Sequence, residues 1–147
     1  MIQTVAVKKL NPRACLPVYG SEFAAGADLC ACLDAPVIIA PGETVMIHTG
    51  LAMEIPTGFA GLVYARSGLA SKRGVAPANK VGVVDSDYRG ELMVALHNHG
   101  QEPQAIEDGE RIAPLVITPY LTAEFLEAET LSETARGGGG FGSTGRK

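Results

Sequence analysis

The chain contains no tryptophan, and its aromatic residues together reach only 5%. A core built from it must therefore be largely aliphatic. Long apolar runs are also missing. Stretches such as Ala35–Ala40 and Leu115–Ile117 fall far short of the ~18 residues that a spanning helix needs. The first residues, Met1 to Lys9, have no basic head followed by an apolar stretch, so no secretory leader is read and the expectation is a cytoplasmic protein without membrane association. Cysteine is scarce: Cys15, Cys30 and Cys32 are an odd number without framework spacing, which excludes a disulfide scaffold and leaves reduced thiols. An excess of positive charge is absent as well. Twelve Lys and Arg stand against sixteen Asp and Glu, a net charge of −4. Proteins that grip long nucleic acid through its phosphates carry the opposite balance, so no nucleic-acid partner is expected. A small anionic substrate held by a few placed arginines remains compatible.

What is present describes one domain. A chain of 147 residues with 46% hydrophobic residues and mean hydropathy +0.15 can hold its own core and is not globally disordered. Short runs rich in Val, Ile and Leu are punctuated by Gly, Pro, Asn or Asp about every 8–12 residues. The runs are Val5–Leu10, Ala27–Leu33, Pro36–Ile39, Thr44–His48, Leu51–Ile55, Gly61–Ala65, Val81–Val84, Glu91–Asn98, Gln104–Ile106, Arg111–Ile117 and Glu124–Glu127. That rhythm predicts an all-β barrel or sandwich rather than βαβ units. One short helix is predicted over Ser67–Gly74, with Ser67 as its N-cap and Gly74 ending it in the left-handed conformation. The final segment is different material: six glycines fall within residues 137–145, too dense for a packed core, with a lone Phe141 among them.

Several constellations carry potential chemistry. Cys30/Cys32 and His97/His99 each place two metal-ligating side chains on one strand face. Small buried thiols and a surface histidine pair account for the same letters more simply. Residues 140–147 contain glycines, Ser143 and Thr144, yet no Gly-Lys-Ser/Thr opens a helix, so a P-loop is excluded. A looser reading survives, with glycine amides and hydroxyls around phosphate oxygens and Arg136 adding charge; the plain alternative is a solubilising tail. Arg66-Ser67-Gly68 sits where a strand gives way to the helix, an arrangement suited to anions and equally to an ordinary turn. Ser67 lies in no G-x-S-x-G elbow, so it is not read as a nucleophile. Val81 to Met93 reads as a β-hairpin whose tip carries Asp85, Asp87, Tyr88 and Arg89. Asp85 follows an apolar strand, and the expectation is a half-buried, held carboxylate suited to a general base, or else a solvated turn. Asp28 is an acid inside an apolar run and must be hydrogen-bonded, paired or near a cation.

Taken in order, these segments resemble the trimeric all-β dUTP nucleotidohydrolases, the dUTPases. Five blocks carry the resemblance across nearly the whole chain: Ala25–Leu29, Ala65–Ala70, Asn79–Gly90, Gly109–Ala113 and Arg136–Gly145. It implies a jelly-roll-like β-barrel with one short helix in residues 1–128, a flexible arm in 129–147, and a homotrimer with active sites between subunits. It further implies hydrolysis of dUTP to dUMP and diphosphate by in-line attack of water at the α-phosphate, which limits uracil in DNA and supplies dUMP for thymidylate. By the same carry-over, Asp85 would orient and deprotonate the water. Asn79, Val83, Val84 and Met93 would read the uracil edge, and Tyr88 would pack beneath the sugar and exclude a 2′-hydroxyl. Arg66, Ser67 and Gly68 would hold phosphates. Phe141 would stack on the base, while Arg136, Gly142, Ser143 and Thr144 close over the outer phosphates. Mg²⁺ is implied as cofactor, bound by phosphate oxygens and water, with Asp28 acting on it through a water. Two positions depart from the family pattern: Ala65 stands where Pro is common, and Pro114 where Gln is common. The related dCTP deaminases are similar around Ser67–Gly74, but they carry a catalytic Glu close after that region, and residues 68–84 contain none. A catalytically silent β-module is the alternative from another class.

Overall fold

The computed structural model describes residues 2–143 and 145. Eleven strands are formed among them: β1 (Ala6–Lys9), β2 (Val18–Tyr19), β3 (Ala27–Cys30), β4 (Val37–Ile39), β5 (Thr44–Glu54), β6 (Phe59–Val63), β7 (Val75–Pro77), β8 (Gly82–Val84), β9 (Glu91–Asn98), β10 (Gln104–Ile106) and β11 (Arg111–Pro119). The helix α1 spans Ser67–Arg73. The strands form a sheet ordered β1-β5-β9-β7, a second ordered β2-β3-β11-β6-β8, and a two-stranded pair β10-β4. Every pairing is antiparallel. The all-β class with one short helix is as the sequence predicts.

The sheets enclose one aliphatic core. Leu29, Ile39, Ile47, Leu51, Leu96, Ile106 and Ile112 are fully buried, from both large sheets and the small pair. Alternation does the sorting. In β9 every second residue from Leu92 to Asn98 is buried, as expected of a strand with one face on the core. The two polar groups buried with them are satisfied. Thr49 Oγ1 donates to the Leu92 carbonyl at 2.6 Å, and Asn98 Nδ2 donates to the carbonyls of Ile39 and Glu102 at 2.9 and 2.8 Å.

Several local expectations are corrected. Thr44–His48 and Leu51–Ile55 are one strand, β5, because Gly50 at φ 68 makes a bulge rather than a turn. The pairing of β5 with β9 breaks there, between His48 and Ala52. A Cβ at Gly50 would lie 2.9 Å from Ala14 Cβ, so both conformation and space demand glycine. Ser67 is not the N-cap. Arg66 occupies that position, without a side-chain cap bond, and Ser67 is the first helical residue. Gly74 does end the helix at φ 66, its N–H bonded to Ala70 O at 3.1 Å. Val81–Met93 is not a paired hairpin: β8 belongs to the second sheet and β9 to the first. Glu124–Glu127 forms no strand and is exposed throughout. Pro114 lies within β11, a central strand, beside a register break between Arg111 and Ala113.

Candidate active site

The splaying of β8 from β9 opens a cleft. β8 is the last strand of its sheet, so one of its edges has no partner. Pairing of β7 with β9 covers only Leu96 to Asn98, so the first half of β9 also shows an unpaired edge on that side. Unpaired strand edges present N–H and C=O groups ready to accept another hydrogen-bonding edge. Here two such edges line a cavity of ≈ 250 Å³. Its floor is apolar, with buried Leu29, Val63, Leu92 and Val94. Asn79, Asp85, Tyr88 and Glu91 supply its polar groups. The volume suits one ring with part of a sugar rather than the ~300–1,000 Å³ of a drug-sized pocket.

The cleft gathers Asn79, Val83, Val84, Asp85, Tyr88 and Met93, six of the residues singled out in the sequence. Asn79 precedes Lys80, which adopts φ 64 in the turn from β7 to β8. Val83 and Met93 are exposed at 63% and 40%, although both are apolar. Asp85 is exposed rather than half-buried, because the chain has left the sheet after Val84; its carbonyl accepts the Tyr88 N–H at 3.2 Å and closes a turn. Tyr88 donates its hydroxyl to the Glu91 carbonyl at 2.9 Å. A Cβ at Gly90 would fall 2.6 Å from Tyr88 Cζ, so the ring lies in space that only glycine leaves.

Arg66, Ser67 and Gly68 do not line this cleft. They start α1 where the chain leaves β6, after Tyr64 N–H bonds the Pro114 carbonyl at 3.0 Å. Asp28 is paired, as its position in an apolar strand requires. Arg111 Nη1 is 3.2 Å from its Oδ2, and Arg66 Nε is 3.9 Å from its Oδ1. Sequence reasoning gave Arg111 no role of its own; its place in the Gly109–Ala113 block was the available signal. Glu91 was missed too, and nothing in its local pattern marked it.

The C-terminal candidates stand apart. Residues 120–138 are exposed without exception, and Phe141 is fully exposed. Arg136 Nε donates to Gly139 O at 2.7 Å, within the segment itself. Gly142 and Ser143 are likewise exposed and do not reach the cleft. Thr144 lies outside the described residues.

Among the described residues no group of three or more His, Cys, Asp and Glu could hold a metal. His97 and His99 face each other edge to face at 4.4 Å on and beside β9, whereas Cys30 and Cys32 lie on and after β3. Burial pushes the Cys30 and Cys32 thiols above the ordinary thiol value. No helix of the described residues is long and apolar enough to cross a membrane.

Fold and cleft together define an all-β protein with two open strand edges lining a small cavity. The model of the family described as dUTPase matches residues 13–145. A deoxyuridine 5′-triphosphate nucleotidohydrolase of Desulfitobacterium hafniense (strain DSM 10664 / DCB-2) is 56% identical over 131 residues, covering 88% of this chain and 87% of that protein. One from Anaeromyxobacter sp. (strain Fw109-5) is 53% identical over 146 residues, 97% of this chain and 98% of its own length. Among solved structures, a mutant of the phage 80α dUTPase superposes with TM-score 0.87 at 30% identity, covering 97% of this chain and 99% of that one. Another mutant of the Staphylococcus bacteriophage 80α enzyme, with dUpNHpp, gives TM-score 0.85 at 30% identity, covering 98% and 99%. A mutant dUTPase from phage φ11 of S. aureus, described with a structural Mg(II) ion, gives 0.79 at 26% identity, covering 87% and 98%. The chain belongs to the dUTPase family.

Proposed function

We propose that the protein is a dUTP diphosphatase, converting dUTP and water to dUMP and diphosphate, and that the cleft between β8 and β9 is its nucleoside site. The observation that carries this is the pair of open strand edges beside Asp85 and Tyr88. A pyrimidine edge is a short row of alternating donors and acceptors, so it can add to such edges much as a strand would. Main-chain groups of Asn79, Val83, Val84 and Met93 bind uracil in this way. Cytosine would leave a mismatched donor against a fixed one, and thymine would need room for its methyl. Tyr88 walls the sugar and refuses a 2′-hydroxyl.

Asp85 is the general base. Exposed to solvent, it needs one water within hydrogen-bond reach. The water oxygen bonds to the α-phosphorus as its proton passes to Asp85. The bond from that phosphorus to the bridging oxygen breaks, and diphosphate leaves with the electron pair. Asp85 then returns the proton to solvent. Such chemistry depends mainly on alignment and charge neutralisation, so a positioned carboxylate suffices.

Arg66, Ser67 and Gly68 hold the phosphates. Arg136, Phe141, Gly142, Ser143 and Thr144 close over the nucleotide, with residues 129–147 as the arm and 1–128 as the catalytic body. Among the described residues, neither Arg66, Ser67 and Gly68 nor Arg136, Phe141, Gly142 and Ser143 line the cleft of their own chain, which supports a homotrimer whose sites are completed by neighbouring subunits. The described residues offer no cluster of protein ligands, and that fits a Mg²⁺ held mainly by triphosphate oxygens and waters. Asp28, beside Arg66, would act on the ion through one of its waters. When bound, the ion would offset the charge of the polyphosphate.

The deciding experiment follows diphosphate release from dUTP, dTTP, dCTP and UTP with Mg²⁺, for the wild-type chain and Asp85→Asn. Release from dUTP alone, with kcat lowered about 10²-fold or more in the variant while the nucleotide still binds, supports the reading. No release from any of the four overturns it.

A further inference from the structure

We infer that Glu91 is a positioning residue that sets sugar discrimination by fixing Tyr88. This rests on the dUTP-hydrolysing reading and deepens it.

The argument begins at the bulge in β5. Where the β5–β9 ladder breaks, between His48 and Ala52, the Gly50 N–H loses its strand partner. Gly50 is buried, and a buried N–H must be satisfied. Glu91 Oε1 accepts that N–H at 2.9 Å, while Oε2 takes His48 Nδ1 at 2.9 Å. One carboxylate thus replaces the missing rung and ties β9 to β5 on both sides of the bulge. Its side chain is mostly covered, 24% exposed, so the bonds are shielded from competing water.

The main chain of the same residue carries the other half. Its carbonyl accepts the Tyr88 hydroxyl at 2.9 Å, and Gly90 leaves room for the ring between them. Tyr88 is 44% exposed and hangs from a segment that belongs to neither sheet, so that bond is its fixed anchor. Glu91 lines the cleft and stands at the point where the free segment re-enters the sheet. Any looseness at Glu91 therefore reaches the sugar wall first and Asp85, six residues earlier in the chain, much less.

The test compares kcat/KM for dUTP and UTP in wild type, Glu91→Ala, Glu91→Gln and Tyr88→Phe, with the double variant of Glu91→Ala and Tyr88→Phe. Glu91→Ala is expected to lower the dUTP:UTP ratio about fivefold to tenfold, the effect of one displaced hydrogen bond, with KM for dUTP raised and kcat little changed. Glu91→Gln keeps an acceptor for Gly50 and restores most of the ratio. In the Tyr88→Phe background, Glu91→Ala costs the ratio nothing further. Both substrates meet the same preparation, so a loss of folded protein does not move the ratio. Glu91→Asp, which keeps the charge and shortens the reach, replaces the alanine variant should that be insoluble. An unchanged ratio, or an equal fall in both Tyr88 backgrounds, overturns the inference. A wild type without dUTP turnover would sink the activity reading. The brace is then judged by amide exchange at Gly50 and the Tyr88 ring signals. Faster exchange with altered ring signals in Glu91→Ala sustains it, and no change in either refutes it.

Discussion

Arg111 and Asp28, on the neighbouring strands β11 and β3, form an ion pair at 3.2 Å in which the carboxylate is mostly covered and the guanidinium half-exposed. Asp28 faces Arg66 as well, so one carboxylate stands between two guanidiniums. Asp28→Asn removes the charge that both share. We expect a loss of about 1–2 kcal/mol in stability, between the values for exposed and buried pairs. Urea unfolding checks it; an unchanged midpoint would mean that the arginines find other partners.

The tail makes a second expectation. Residues 120–138 are exposed, and the described bonds of Arg136 to Gly139 stay within the segment. A chain ending at Ala135 should therefore melt within a degree or two of the full chain, yet lose about 10²-fold or more in kcat/KM for dUTP, because a closing segment fixes the near-attack geometry. Differential scanning calorimetry and diphosphate release separate the two effects. Intact turnover by the shortened chain would leave the glycines without a catalytic part.

A third concerns Asn98, fully buried and bonded at both ends of its amide: Nδ2 serves Ile39 and Glu102, and Oδ1 accepts the Gly100 N–H at 2.9 Å. Asn98→Leu strands those groups in an apolar site. The expected cost is about 2–4 kcal/mol, measured as a fall in the urea midpoint with unchanged slope.

The fourth follows a titration. Desolvation, the His97 ring and the Lys80 ammonium hold His99 below its ordinary value. The unfolded chain then takes up this proton at higher pH than the folded one, so stability is lost as pH falls through the ordinary histidine range of about 6.5. The ring is exposed, so the effect on the melting temperature should be small. The resonance is the better readout: NMR should place His99 below the ordinary histidine value, and Lys80→Met should move it upward.

Much of this was legible in the chain. Punctuation by Gly and Pro marked most strands, because a turn must be built from residues that tolerate it. β2 and β7 went unread: Val18–Tyr19 is two residues between Pro17 and Gly20, and Val75–Pro77 ends in a proline, so neither looks like a strand without its neighbour. Glu124–Glu127 has the right letters, but among the described residues no strand pairs with it. The carboxylate at Asp28 announced a partner without naming it. Arg111 is 83 residues away, and only the pairing of β3 with β11 brings it there. For the same reason, the separation of β8 and β9 into different sheets could not be read from Val81–Met93 alone.

The walls of the cleft are strand edges, and that limits how its selectivity can change. Side chains are exchanged by single codons, whereas amides and carbonyls are the same in every residue but proline, which lacks the N–H. On the proposed reading of uracil by main-chain groups, the site cannot be retuned letter by letter. Altering it takes a shift of frame, through an inserted or deleted residue, or a change at a position that pins the backbone. Gly82 is one such pin, since a Cβ there would press to 3.2 Å from Asn79 Nδ2 and 3.3 Å from Val63 Cβ. Drift in base preference should therefore arrive in jumps, through lengths and glycines, while the exposed side chain of Val83 is free to vary.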